Sequence, residues 1–148
     1  MTTSLLIAAA VIAVLILLNA FFSAAETALT GASRARMAAL EREGDGAARR
    51  VNALNEDRER MIGAVLLGAN IVQIAASAIA ATIFVGLYGE LGPLVTTLVL
   101  TPLLLIFGEV GPKTVAITFA DNIARAVAGP VQWMVRILAP ITMAVQWI

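Results

Sequence analysis

Eighteen consecutive residues, Leu5 to Phe22, carry no charge, and two more uncharged runs follow, Met61 to Gly89 and Leu91 to Gly108. Crossing the hydrocarbon layer of a membrane takes about 20 predominantly apolar residues of helix, so each run is a candidate span. A soluble fold does not account for them. The chain has 148 residues, of which 60% are hydrophobic and only 14% charged. A soluble domain of about 150 residues buries only about 70% of the surface its unfolded chain exposes, so the excess apolar surface is expected to face lipid.

The first run is not read as a cleaved signal, because no basic residue precedes it and its polar residues continue in helical register. Gly86, Gly89, Gly92 and Pro93 predict a turn between the second and third runs, which then pair as an antiparallel hairpin. The expected class is an all-α membrane protein whose spanning helices cover about 4–30, 60–86 and 93–108. Residues 33–56 predict a cytoplasmic juxtamembrane helical hairpin, broken at Gly44-Asp45-Gly46. Residues 122–148 predict an interfacial helix broken by Pro130 and Pro140, with Trp133 and Trp147 at headgroup depth. The chain ends at Ile148 without a polar tail, as expected of a piece of a longer protein.

Charge placement predicts orientation. Seven of the ten basic residues, Arg34 through Arg60, lie between the first and second runs, and Lys113, Arg125 and Arg136 follow the third. The Gly86–Pro93 turn carries only Glu90. The positive-inside rule then puts the amino terminus and that turn outside and the carboxy terminus in the cytoplasm. Acidic residues nearly balance the arginines of the connection, which suits a solvated face as well as it suits a specific lipid or partner site. Overall charge is zero, so nucleic acid is not an expected partner.

Polar residues inside the apolar runs are the candidate functional groups. Asn19, Ser23, Glu26 and Thr30 fall within an arc of about 60° on a helix, and Asn70, Gln73 and Ser77 share a face of the second run. Hydrogen bonding between helices accounts for the stripe of the second run, taken alone, more readily than a ligand does, and headgroup water or an arginine accounts for Glu26 as well as an ion does. The third feature, Phe107-Gly108-Glu109-Val110-Gly111-Pro112-Lys113, should interrupt its helix, because Pro112 has no amide hydrogen and the break would free carbonyls beside Glu109. With no His and no Cys in the chain, the available ligands are carboxylate, amide, hydroxyl and backbone oxygens, the set preferred by a hard cation such as Mg²⁺ or Na⁺.

Phe21-Phe22-Ser23-Ala24-Ala25-Glu26-Thr27-Ala28-Leu29, Gly68-Ala69-Asn70 and the Phe107–Lys113 segment together resemble the CNNM/CorC family, in the order and spacing of its transmembrane domain. The resemblance implies a homodimeric Mg²⁺ transporter in a bacterial inner membrane, coupling Mg²⁺ export to Na⁺ entry, with a dehydrated cation between three spanning helices and a belt-like terminal helix. It carries Ser23, Asn70 and Glu109 over as Mg²⁺ ligands, with a carbonyl near Gly108 or Gly111 as a further candidate. Gln73 and Ser77 join them by periodicity alone, and Glu26 is a candidate for a Na⁺ or gating site. Family members continue into a cytoplasmic CBS-domain pair that binds ATP, so nucleotide regulation is expected to lie outside these residues.

The competing expectation is a membrane anchor and dimerisation module whose polar stripes merely join helices. Ala64, Gly68, Ala76 and Ala80 on the second run allow close packing under either reading. An enzyme is not expected, since Ser23 has no His or nearby Lys to activate it.

Overall fold

A computed structural model describes residues 2–147, and the side chains of residues 2–144. Helices account for nearly all of it, and no strand occurs among the described residues. α1 is Thr2–Gly31, α2 Arg34–Arg42, α3 Gly46–Glu56, α4 Arg58–Tyr88, α5 Gly92–Leu103, α6 Gly111–Thr118 and α7 Ala120–Trp147. Two helical stretches, Thr2–Gly31 and Arg58–Thr118, are long and apolar enough to cross a membrane.

The starts of α2, α3 and α4 follow from capping chemistry. The Ser33 side chain accepts from the Arg36 amide, Asp45 from the Ala47 and Ala48 amides, and Asp57 from the Arg60 amide. Each satisfies an amide that the first turn of a helix leaves without a partner. The second apolar stretch reverses at Gly89, whose φ of 62° is a conformation that side chains rarely adopt. A tight turn over Gly89–Leu91 leads into α5, where Pro93 occupies the first helical turn.

Contacts between elements set their directions. Thr30 meets Arg58, Phe22 meets Gly68 and Asn19 meets Gln73, so α1 and α4 run antiparallel. Asn19 meets Gly108 and Gly31 approaches Ala120, so α1 and the returning chain run parallel. α7 packs across α1, α3 and α4. Its Ala124, Val127, Ala128 and Val131 are buried with Ala25, Ala28, Leu29, Met37, Val51 and Met61 in one cluster. Leu6, Ile7, Val14 and Leu17 of α1, by contrast, are all more than half exposed, a surface that suits lipid and not water.

Three expectations are revised. First, the small residues Ala64, Gly68, Ala76 and Ala80 are all buried within the chain. A Cβ on Gly68 would lie 3.1 Å from the Phe22 ring and 3.3 Å from the Met134 sulfur, so this stripe seats the chain's own side chains. Second, Pro130 and Pro140 do not break α7, which is continuous through both. A proline removes one intrahelical bond, but packing of the buried face outweighs that loss here. Third, the Phe107–Lys113 segment does not stop its helix: Leu104–Val110 forms a π-helical segment that leads directly into α6. Trp133 is exposed, while the side chain of Trp147 lies outside the described residues.

Asp45 joins the α2–α3 hairpin to α7, because one of its oxygens caps α3 and the other pairs with Arg125. Burial pushes its carboxyl up, but the Ala48 and Ala47 amides and Arg125 outweigh this and hold it below the usual carboxylate range. A lowered folded-state value contributes stability that is complete above the unfolded value of about 4 and is lost as pH falls through the folded one. Protection of the α2 and α3 amides, relative to their intrinsic exchange rates at each pH, is therefore expected to fall on acidification below about pH 4. Asp45→Asn, which keeps a cap and loses the titration, should show no such step; a variant with the parent's acid profile would refute the assignment.

Candidate cation site

Asn19 is fully buried at the middle of the molecule and joins two other elements through hydrogen bonds. Its Nδ2 donates to the Gly108 carbonyl at 3.2 Å, and its Oδ1 accepts from Gln73 Nε2 at 3.3 Å. The same Gln73 nitrogen donates to Glu109 Oε1 at 2.7 Å. α1, α4 and the π-helical segment thus meet at a carboxylate, two amides and a backbone carbonyl.

The π-helical segment explains why that carbonyl is available. Pro112 has no N–H, so the α-helical partner of the Gly108 carbonyl does not exist. The Gly111 amide instead bonds Ile106 O, five residues back, in the wider π pattern. A Cβ on Gly111 would sit 2.7 Å from that oxygen, and one on Gly108 would sit 2.6 Å from Asn19 Nδ2. Both positions need the absent side chain, one for the wide turn and the other for the close approach of α1. The freed carbonyl anticipated from the Gly-Pro pattern is therefore present at Gly108 without a break in the helical path.

Ser23 lies one turn from Asn19 along α1 and is 7% exposed. Glu26 is half-buried one turn further on. Asn70 and Ser77 are exposed on α4 and are not among the hydrogen-bonded partners of the central cluster. Asn70 lines a groove of about 440 Å³ with Glu59, Gly63, Leu66, Leu67, Ile141 and Thr142. The structure thus brings Gln73, Gly108 and Glu109 together around Asn19, buries Ser23 one turn further along α1, and leaves Asn70 and Ser77 exposed.

Among the described residues no three acidic, His or Cys side chains cluster, so the negative charge at this centre comes from Glu109. The Gln73 nitrogen lies between two oxygens from different elements, a place suited to positive charge. A hard cation at that place would find the Glu109 carboxylate and the Asn19 amide oxygen, with the Gly108 carbonyl, bonded to the same Asn19 side chain, as a further donor. Asn19 was legible as part of a polar stripe but not as the residue that joins the three elements; its register with Ser23 was the available signal.

The family described as "Cyclin M transmembrane N-terminal domain" matches residues 10–148. The chain is 37% identical over 107 residues to the UPF0053 inner membrane protein YfjD of Escherichia coli, covering 72% of this chain and 25% of that protein. It is 34% identical over 114 residues to a UPF0053 protein of Haemophilus influenzae, covering 77% and 27%. A chloroplastic DUF21 domain-containing protein of Arabidopsis thaliana is 35% identical over 139 residues, covering 93% and 21%. The chain therefore spans about a quarter of the length of these relatives.

Proposed function

Since the chain belongs to the family of the cyclin M transmembrane N-terminal domain, we propose that it carries Mg²⁺ across a membrane, in exchange for Na⁺ entering the cell. The observation that carries this reading is the meeting of Glu109, Gly108, Asn19 and Gln73 from three elements inside an apolar molecule. Buried polar groups in membranes are costly, and a lone carboxylate among them marks an ion path. A dehydrated Mg²⁺ takes Glu109, Ser23 and Asn70 as ligands. Asn70 and Gln73 are about 60° apart around α4, so a part-turn of that helix exchanges the Gln73 amide for the Asn70 oxygen. Calorimetric titration of the folded chain with Mg²⁺ tests the site, and exchange of Mg²⁺ against Na⁺ by the full-length protein in vesicles tests the activity. Saturable binding that Na⁺ weakens is expected; absence of Mg²⁺ binding favours the second reading.

That second reading is an anchor and dimerisation module. It draws on the same hydrogen bonds, which also join three helices without any ion.

The chain crosses an inner membrane three times in this account, with α7 as an interfacial belt, the amino terminus outside and the carboxy terminus in the cytoplasm. The absence of native Cys makes labelling a clean check. Glu90→Cys should react with impermeant reagent from outside intact cells and Glu43→Cys should not, while the reverse pattern would overturn the topology. The functional unit is a homodimer, since Ser77 is exposed beside Ile74, and a polar group facing lipid favours a partner that can bond it. The mass in mild detergent should be that of two chains; a monomer in both detergent and nanodiscs would contradict it.

A further inference from the structure

A cleft of about 190 Å³ opens between the start of α4 and the middle of α7, lined by Leu54, Asp57, Arg60, Met61, Gln132 and Arg136. We propose that this cleft holds the phosphate-bearing headgroup of an anionic phospholipid.

Two arginines line one small space. Three of the other seven arginines have protein partners: Arg36 pairs with Asp121, Arg125 with Asp45, and Arg58 donates to the Thr30 carbonyl at 2.6 Å. Among the described residues, neither Arg60 nor Arg136 has a carboxylate in ion-pairing reach. Asp57 shares the cleft, but its Oδ1 accepts from the Arg60 backbone amide at 3.3 Å as the cap of α4. Two arginines supply forked donors of the geometry that phosphate oxygens accept, and the Gln132 amide is a third donor group.

Position selects a lipid over a free anion. Arg60 is the last charge before the uncharged run Met61 to Gly89. Arg136 stands beside Trp133 and Ile137, which are 68% and 52% exposed. The cleft therefore lies where exposed apolar surface meets charge, and an occupant with an anionic head and apolar tails satisfies both. Basic pockets of this kind between helices are how anionic headgroups are held. The volume admits a phosphodiester headgroup, leaving the acyl chains to lie along the exposed apolar surface.

Native mass spectrometry of the detergent-solubilised chain, titrated with phosphatidylglycerol or phosphatidylcholine, tests this. Phosphatidylglycerol should be retained in preference to phosphatidylcholine. Arg60→Gln and Arg136→Gln should each weaken its retention about fivefold and together about 30-fold, as expected for surface arginines facing anionic lipid. Arg34→Gln with Arg49→Gln, which removes two exposed charges elsewhere, should change it little. Arg136→Gln alters an exposed side chain and serves alone if the double variant does not fold. Equal retention by parent and the Arg60/Arg136 variants, or an equal loss in the Arg34/Arg49 variant, would overturn the proposal. Displacement of phosphatidylglycerol by an equimolar amount of inorganic phosphate would overturn it in favour of a free-anion site.

Discussion

Glu109→Gln is expected to weaken Mg²⁺ binding by a factor of about 10–100, since Glu109 is half-buried and an interaction with a charged group there contributes about 1.5–3 kcal/mol. The substitution is isosteric. Its remaining oxygen can still accept from the Gln73 nitrogen that now bonds Glu109 Oε1, so the helices should stay together while the negative charge is lost. Ser23→Ala is expected to weaken binding by only about two- to tenfold, because a neutral hydrogen-bonding group contributes about 0.5–1.5 kcal/mol. Mg²⁺ gives up its water reluctantly, so the charged ligand should contribute most to offsetting dehydration. Calorimetry on each folded variant checks the order. If Glu109→Gln binds Mg²⁺ as the parent does, the site is misplaced and the anchor reading gains.

Gly92→Ala is expected to be the most damaging single-methyl change, and Gly86→Ala, six residues earlier, should act in the opposite direction. A Cβ at Gly92 would lie 2.5 Å from both the Val85 backbone nitrogen and its Cα. Backbone cannot rotate away as a side-chain tip can, so the hairpin of α4 and α5 must open, at a cost of about 1–3 kcal/mol for overpacking. The gain in helix propensity on replacing Gly by Ala is at most about 1 kcal/mol and does not offset this in a tight turn. Nothing lies within 4 Å of a Cβ placed on Gly86, so there the propensity gain stands alone. Thermal unfolding in mild detergent should show the midpoint falling for Gly92→Ala and rising for Gly86→Ala; equal effects would mean the close approach is absent.

The parts of this fold that were legible in the sequence are those set by neighbouring residues. Gly44-Asp45-Gly46 marks the break between α2 and α3, and Gly89 marks the reversal through its own backbone freedom. What was not legible depends on partners distant in the chain. Periodicity placed Asn70 and Gln73 on one arc but could not say that Gln73 meets Glu109 while Asn70 lines a separate groove. The stripe of Ala64, Gly68, Ala76 and Ala80 showed that something packs closely there, and Phe22 and Met134 of the same chain fill the place at Gly68. The Gly-Pro pattern after Phe107 signalled an irregular backbone. Whether it ends the helix or widens it depends on the Gly111 bond to Ile106 and on Asn19 approaching Gly108, and only the second shows where the freed carbonyl is used.

The most direct test of a hard-cation centre among these helices is a crystal of the chain grown with Mn²⁺, which shares the octahedral oxygen preference of Mg²⁺ and scatters anomalously. The account predicts one anomalous peak in coordination contact with the Glu109 carboxylate, flanked by oxygens of Ser23 and Asn70 and lost in Glu109→Gln. A peak elsewhere in the molecule, or none beside Glu109 at a concentration that saturates binding in solution, would contradict it.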